Sequence, residues 1–180
     1  MDKITSLNGL IETLKQSEAK DYVKIAQGMN IPVSDFDAYA HYKKDSYARN
    51  CIVKTAAFEL ILICWKKGDI TPIHGHDNQN CWVYQVCGNI TEMRYEKDNE
   101  GKLIECNNMQ LEPGVLTYMH DSMGYHLLEN HTHQNSMTLH LYMNPIDSCE
   151  VFNKTNNCFE KKELEFYTID GNAVEERVIL

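Results

Sequence analysis

No stretch of this chain is both long and apolar enough to cross a bilayer; the strongest apolar run, Leu60 to Trp65, falls far short of the roughly 20 residues a membrane helix needs. The opening Met1-Asp2-Lys3-Ile4 also lacks the basic and then apolar pattern of a secretion signal, so a cytoplasmic protein is expected. Basic charge is scarce: 17 Lys and Arg stand against 26 Asp and Glu, for a net charge of −9, with no Lys/Arg-rich block. That balance argues against nucleic acid or an anionic membrane surface as a partner and leaves a small molecule. The seven cysteines are odd in number and contain no C-x-x-C spacing, which fits reduced thiols better than a disulfide or zinc framework. There is no internal repeat, linker or low-complexity stretch, so residues 1–180 are expected to fold as one domain, as a monomer.

What is present divides in two. Ile4 to Gln16 carries Ile4, Leu7, Leu10, Ile11 and Leu14 at helical spacing, and Asp21 to Gly28 ends on a glycine stop signal, so residues 1–48 are expected to supply helices packed outside the main body. From 49 to 170 the pattern is one of short strands: Cys51 to Thr55, Phe58 to Trp65, Cys81 to Val86, Ile90 to Tyr95, Val115 to Tyr118, Tyr125 to Glu129, Ser136 to Met143 and a last pair after Cys149. Turn residues separate them at Lys67-Gly68-Asp69, Asp77 to Asn80, Cys87-Gly88-Asn89, Asp98 to Gly101 and Glu112-Pro113-Gly114. A mainly β fold follows, a small antiparallel barrel or jelly roll with α-helices against one side. The tail from Gly171 to Leu180 reads as polar and exposed.

The chemistry concentrates in Gly68 to Gly88. His74 and His76 lie two apart, so on an extended strand both imidazoles project from one face and form a two-point metal grip. His126 follows on a later strand that a barrel can bring beside them. These segments resemble the two cupin motifs: Gly68, His74, His76 and Gly88 keep every spacing of the first, and His126 and Asn130 end the second as H-x3-N. One position departs, since Cys81 stands where most cupins carry a glutamate ligand. The site is then three neutral imidazoles, which leave a metal more positive and more open than two histidines and a carboxylate would. Thr138, His140 and Tyr142 alternate with Leu139, Leu141 and Met143, so one face of that strand is polar, and it is expected to line the interior around the metal. Cys81 would fall on the wrong face of an unbroken strand from His76; the turn-rich Asp77 to Asn80 supplies the break in register.

Together these features make the chain similar to cysteine dioxygenase, over roughly Tyr47 to Phe152. The resemblance implies Fe(II) held by His74, His76 and His126, with L-cysteine and O2 as substrates and cysteine sulfinate as product. It implies that Arg49 binds the substrate carboxylate, with Tyr47 and Cys149 also lining the pocket, Cys149 at its entrance. Thr138, His140 and Tyr142 take the catalytic row, His140 orienting Tyr142 through a ring nitrogen, and Cys81 joins Tyr142 in a thioether crosslink. Asn144-Pro145 replaces a prolyl pair of the animal enzymes, which puts a different turn beside the pocket. The alternatives are a dioxygenase of another small thiol, 3-mercaptopropionate or cysteamine, a zinc or nickel cupin of other chemistry, and a ligand-binding barrel without activity. Arg49 separates the first of these, because relatives that prefer 3-mercaptopropionate carry glutamine there. His41, His120, His131 and His133 are expected to be ordinary surface or hydrogen-bonded residues.

Overall fold

Ser6 decides where the first helix begins. Its side chain accepts a hydrogen bond from the Gly9 amide, capping α1 (Leu7–Gln16). The helix therefore starts after Ile4, which instead pairs with the segment at Met29. α2 (Tyr22–Gln27) follows a single 3-10 turn. The computed structural model describes residues 3–174, so only the first four residues of the expected C-terminal tail, 171–174, can be placed, and three of them are exposed.

Twelve strands follow: β1 (Ala48–Lys54), β2 (Phe58–Trp65), β3 (Asn80–Cys87), β4 (Ile90–Lys97), β5 (Leu103–Leu111), β6 (Leu116–Met119), β7 (Tyr125–Glu129), β8 (Ser136–Met143), β9 (Ser148–Asn153), β10 (Cys158–Glu163), β11 (Thr168–Ile169) and β12 (Asn172–Ala173). They form a seven-stranded sheet ordered β12-β11-β1-β2-β8-β3-β6, a three-stranded sheet ordered β5-β4-β7, and the β9–β10 hairpin. β5 has no counterpart among the expected strands: Glu105, Cys106, Asn107 and Asn108 are all exposed, and a strand that buries so little leaves no apolar alternation to read. The final β11–β12 hairpin extends the strands past the expected limit at 170; β11 runs parallel to β1, with Thr168 donating to Asn50 at 2.9 Å.

The large sheet is buried on both faces, which is why β2 reads as an unbroken apolar run from Leu60 to Trp65. Its outer face, including Leu60, Leu62, Leu139 and Leu141, packs on Leu10, Leu14, Ile25 and Phe36 from the helical part. Its inner face sets Ile61, Ile63, Trp65, Val83 and Tyr142 against Ile90, Leu111 and Leu128, so that the two sheets close around a second core. This is the mainly β, cupin-type barrel with helices outside that the sequence leads one to expect. Gly88 shows why a glycine ends the first motif: its φ is +67°, and a Cβ there would lie 2.6 Å from the Asn135 carbonyl oxygen.

Candidate metal centre and its pocket

His74 and His126 face each other across a single β-bridge, His74 N donating to His126 O at 2.9 Å and the reverse bond measuring 3.1 Å. The backbone itself thus sets their rings side by side, with centroids 4.7 Å apart. His76 is steered differently. Its amide and that of Asn78 both donate to the Asp121 carboxylate, at 2.5 and 2.7 Å, and this clamp brings the His76 ring within 4.7 Å of His126. Asp77 and Asn78 then take φ of +50° and +58°, the expected break that lets Cys81 re-enter on the inner face. One ligand atom from each of the three histidines lies within 4.8 Å of the others.

The protonation pattern fits a metal. His74 Nδ1 donates to the Pro72 carbonyl oxygen at 2.9 Å and His126 Nδ1 to Glu92 Oε1 at 2.7 Å. Both acceptors fix the hydrogen on Nδ1 and leave the Nε2 lone pair aimed inward. Among the described residues the Nε2 atoms of His76 and His126 are buried without a hydrogen-bond partner, a costly arrangement for imidazole nitrogens unless something else ligates them. Burial and the neighbouring imidazoles push the His74 pKa down to about 3 and hold His76 well below its ordinary range, so both are neutral ligands at physiological pH.

Behind His126 lies a network that sequence reading misses. Glu92 is fully buried on β4 and accepts hydrogen bonds from His126, from Thr117 Oγ1 at 3.0 Å and from Arg94 Nη2 at 3.2 Å. Burial works to raise its pKa, but His126 and Arg94 outweigh that and leave it lowered, hence ionised. Arg94 also donates to Thr117 Oγ1 at 2.6 Å and to the Tyr118 carbonyl at 2.9 Å.

The remaining expected residues gather beside this cluster. Tyr47, Arg49, His74, His140, Tyr142 and Cys149 line one cavity of about 40 Å³, room for roughly three water-sized positions. Among the described residues the Nε and Nη2 atoms of Arg49 are buried with no hydrogen-bond partner, and its guanidinium lies 5.8 Å over the Phe166 ring. Thr138 Oγ1 accepts from Trp65 Nε1 at 2.9 Å and sits 2.9 Å from His140 Nε2, which fixes the imidazole plane. The expectation that His140 reaches Tyr142 through a ring nitrogen is not met. Its Nδ1 lies instead 3.9 Å from Cys81 Sγ, and its contact with Tyr142 is face to face, 6.1 Å between centroids. Cys81 and Tyr142 are directly opposite on β3 and β8, where side chains on one face meet. Both are buried, and burial drives the Tyr142 phenol and the Cys81 thiol well above their ordinary pKa values.

Two further residues carry no signal in the sequence. Lys162 on β10 lines the cavity, and Glu59 on β2, opposite Tyr142, is a buried carboxylate that accepts from the Ile146 amide at 3.4 Å just after the Asn144-Pro145 turn. The four other histidines are half-buried or exposed; His41, for example, bonds the Ala38 carbonyl oxygen, and His120 caps a 3-10 turn.

Comparison with known proteins agrees with this geometry. The fold resembles that of the TT1209 protein from Thermus thermophilus, 15% identical, with a TM-score of 0.51 over 61% of this chain and 94% of that one. In sequence, the chain is 28% identical to cysteine dioxygenase type 1 of Homo sapiens and 27% identical to that of Rattus norvegicus, each over 94% of this chain and 90% of the relative. The profile of the family described as cysteine dioxygenase type I matches residues 2–155, well beyond the Tyr47 to Phe152 span that the motifs alone suggest. The chain therefore belongs to the cysteine dioxygenase type I family, a family of oxidoreductases.

Proposed function

We propose that the protein converts L-cysteine and O2 to cysteine sulfinate at a single Fe(II) held by His74, His76 and His126. The observation that carries this reading is the Arg49 guanidinium, whose Nε and Nη2 are buried and without a hydrogen-bond partner among the described residues, in the same small cavity as the His74 imidazole. A fork of donors left empty beside a metal grip calls for a ligand with a carboxylate at one end and a metal-binding atom at the other. Cysteine has both. When bound, Fe(II) would supply the positive charge that favours the thiolate of a thiol with ordinary pKa about 8.5, and the redox chemistry that dioxygen needs.

The chain's own groups do the rest. Arg49 takes the carboxylate and fixes the distance from it to the thiol. Tyr142, kept neutral by burial, remains a hydrogen-bond donor over the working pH range. Neutral His140, braced by Thr138 and through it by Trp65, forms a wall against which the phenol lies. Ile63, Leu128, Ile146, Val151 and Leu164 supply the apolar part of the lining and limit water, which protects a reactive sulfur centre from side reactions. The Cys81–Tyr142 pair forms a thioether during turnover: the new C–S bond replaces one S–H and one ring C–H, and O2 accepts the two electrons and two protons. With its small cavity and reduced thiols, the protein is expected to work in the cytoplasm as a monomer.

The deciding experiment is product identification by mass spectrometry with Fe(II)-loaded protein, isotopically labelled O2, and cysteine, 3-mercaptopropionate and cysteamine in turn. Doubly labelled cysteine sulfinate is expected, formed with the highest kcat/KM of the three. A higher kcat/KM for either other thiol would reassign the substrate, and no labelled sulfinate from any thiol would reject the reaction.

A further inference from the structure

The cavity lining contains two cations, Arg49 and Lys162, and no carboxylate, in a chain whose net charge is −9. Lys162 sits on β10 directly opposite Cys149 on β9, so its side chain shares a face with the thiol that lines the cavity. Unlike the buried end of Arg49, it is exposed, which puts it on the solvent side of the pocket. Among the described residues neither Arg49 nor Lys162 forms an ion pair, as holds for most lysines of the chain, and what sets these two apart is their place in the cavity lining; Lys54 and Arg94, by contrast, are paired with acids. Asp77 and Asp121 lie near enough to act on the Cys149 thiol but are not part of the cavity lining, and the acids of the hairpin itself are directed elsewhere. Glu160 accepts from Asn153 and Asn156, Glu150 lies opposite Lys161, and Glu163 lies opposite Ser148.

We infer that Lys162 is a specificity-determining residue, an ammonium at the mouth of the pocket that sorts small thiols by their net charge. The inference rests on the reading of the pocket as a thiol site. A cleft lined by one sign of charge concentrates ligands of the other sign and repels its own. Anionic 3-mercaptopropionate is attracted and cationic cysteamine is repelled. Zwitterionic cysteine is drawn in mainly by orientation, carboxylate toward the cations, because its two charges cancel in the far field. Arg49 makes the final contact, and Lys162 acts before it, on capture.

The test uses Fe(II)-loaded protein in two measurements, anaerobic calorimetry of each thiol and steady-state kcat/KM. In Lys162→Gln the affinity ratio of 3-mercaptopropionate to cysteamine is expected to fall about fivefold, the scale of one screened charge acting in opposite senses on two ligands. Lys162→Glu should lower it further, Lys162→Arg should preserve it, and raised salt should shrink the wild-type ratio toward that of Lys162→Gln. Equal shifts for all three thiols, or no shift, would overturn the inference. Absence of oxygen uptake with every thiol would reject the dioxygenase reading instead, and the calorimetric ratio would still report on Lys162.

Discussion

The wall on the side of the small sheet has its acids set behind its imidazoles: Glu92 receives His126, and Asp121 clamps the backbone of His76. Facing it, the wall on the side of the large sheet and the β9–β10 hairpin presents Arg49 and Lys162 to the cavity with no acid paired to either among the described residues. The first wall is neutral at its surface and negative beneath it, which suits a cation. The second is positive at its surface, which suits an anion. A ligand carrying a carboxylate and a metal-seeking thiol is oriented by that opposition before any contact is optimised. The difference also explains the unequal hydrogen bonding. The metal wall must hold three rings in one geometry and so ties down their spare nitrogens or backbone, whereas the substrate wall must leave donors free.

The largest expected effect comes from breaking the metal wall outright. His126→Ala should bind no Fe(II) at stoichiometric ratio and take up oxygen with cysteine only at background rate, and chelation of the wild type should do the same. Retained iron and turnover in His126→Ala would remove the three-imidazole site. Glu92→Gln keeps an acceptor for His126 but removes the charge behind it, so the dissociation constant for Fe(II) should rise by about 10- to 100-fold. Because Arg94 would lose its buried partner, the melting temperature of the metal-free protein must be measured alongside. A fall in stability with unchanged metal affinity would make Glu92 a folding residue only.

On the substrate wall, Arg49→Ala should raise KM for cysteine by roughly tenfold or more, the cost of losing a charge-assisted fork, while leaving KM for cysteamine nearly unmoved. Equal effects on both thiols would take the carboxylate away from Arg49. The crosslink is checked by intact mass: wild type turned over with iron and cysteine should be lighter by two hydrogens, and Cys81→Ser should keep its full mass. Unchanged mass in the wild type would remove the thioether.

The asymmetry between the walls is also an asymmetry in what the sequence can say. His74, His76, Thr138, His140 and Tyr142 occupy alternate positions in strongly patterned segments, so type and spacing together point inward. Glu92 and Arg94 occupy alternate positions too, but Met93 and Tyr95, which alternate with them, look like the buried row, and the rule that charge faces solvent puts the pair on the wrong side. Only the pairing Arg94↔His126 in the β4–β7 register reveals why the charged row turns in. Lys162 is hidden in Glu160-Lys161-Lys162-Glu163, which reads as a solvated edge, and its place in the pocket depends on the hairpin folding back beside β1 and β2. Asp121 has no pattern at all, since a carboxylate that accepts two loop amides is defined by three-dimensional proximity.

Glu59 is the exception on the substrate wall, and it gives the smallest predicted effect. It is fully buried, with one carboxylate oxygen unpartnered and Lys54 Nζ 3.7 Å away, and burial raises its pKa above the ordinary 4.5. A carboxyl whose folded pKa is raised contributes stability that is complete below its unfolded pKa and is lost as pH rises through the folded value. At neutral pH the folded protein therefore carries the cost of an incompletely compensated buried charge. Glu59→Gln removes that cost while keeping an acceptor for the Ile146 amide. Its melting temperature should exceed that of the wild type near pH 7 by a few degrees, on the order of 1 kcal/mol for a chain of this size, and the gain should vanish below about pH 4, near the unperturbed carboxyl value. A difference independent of pH would mean that packing, not charge, sets the outcome, and that the substrate wall tolerates an acid as readily as the metal wall requires one.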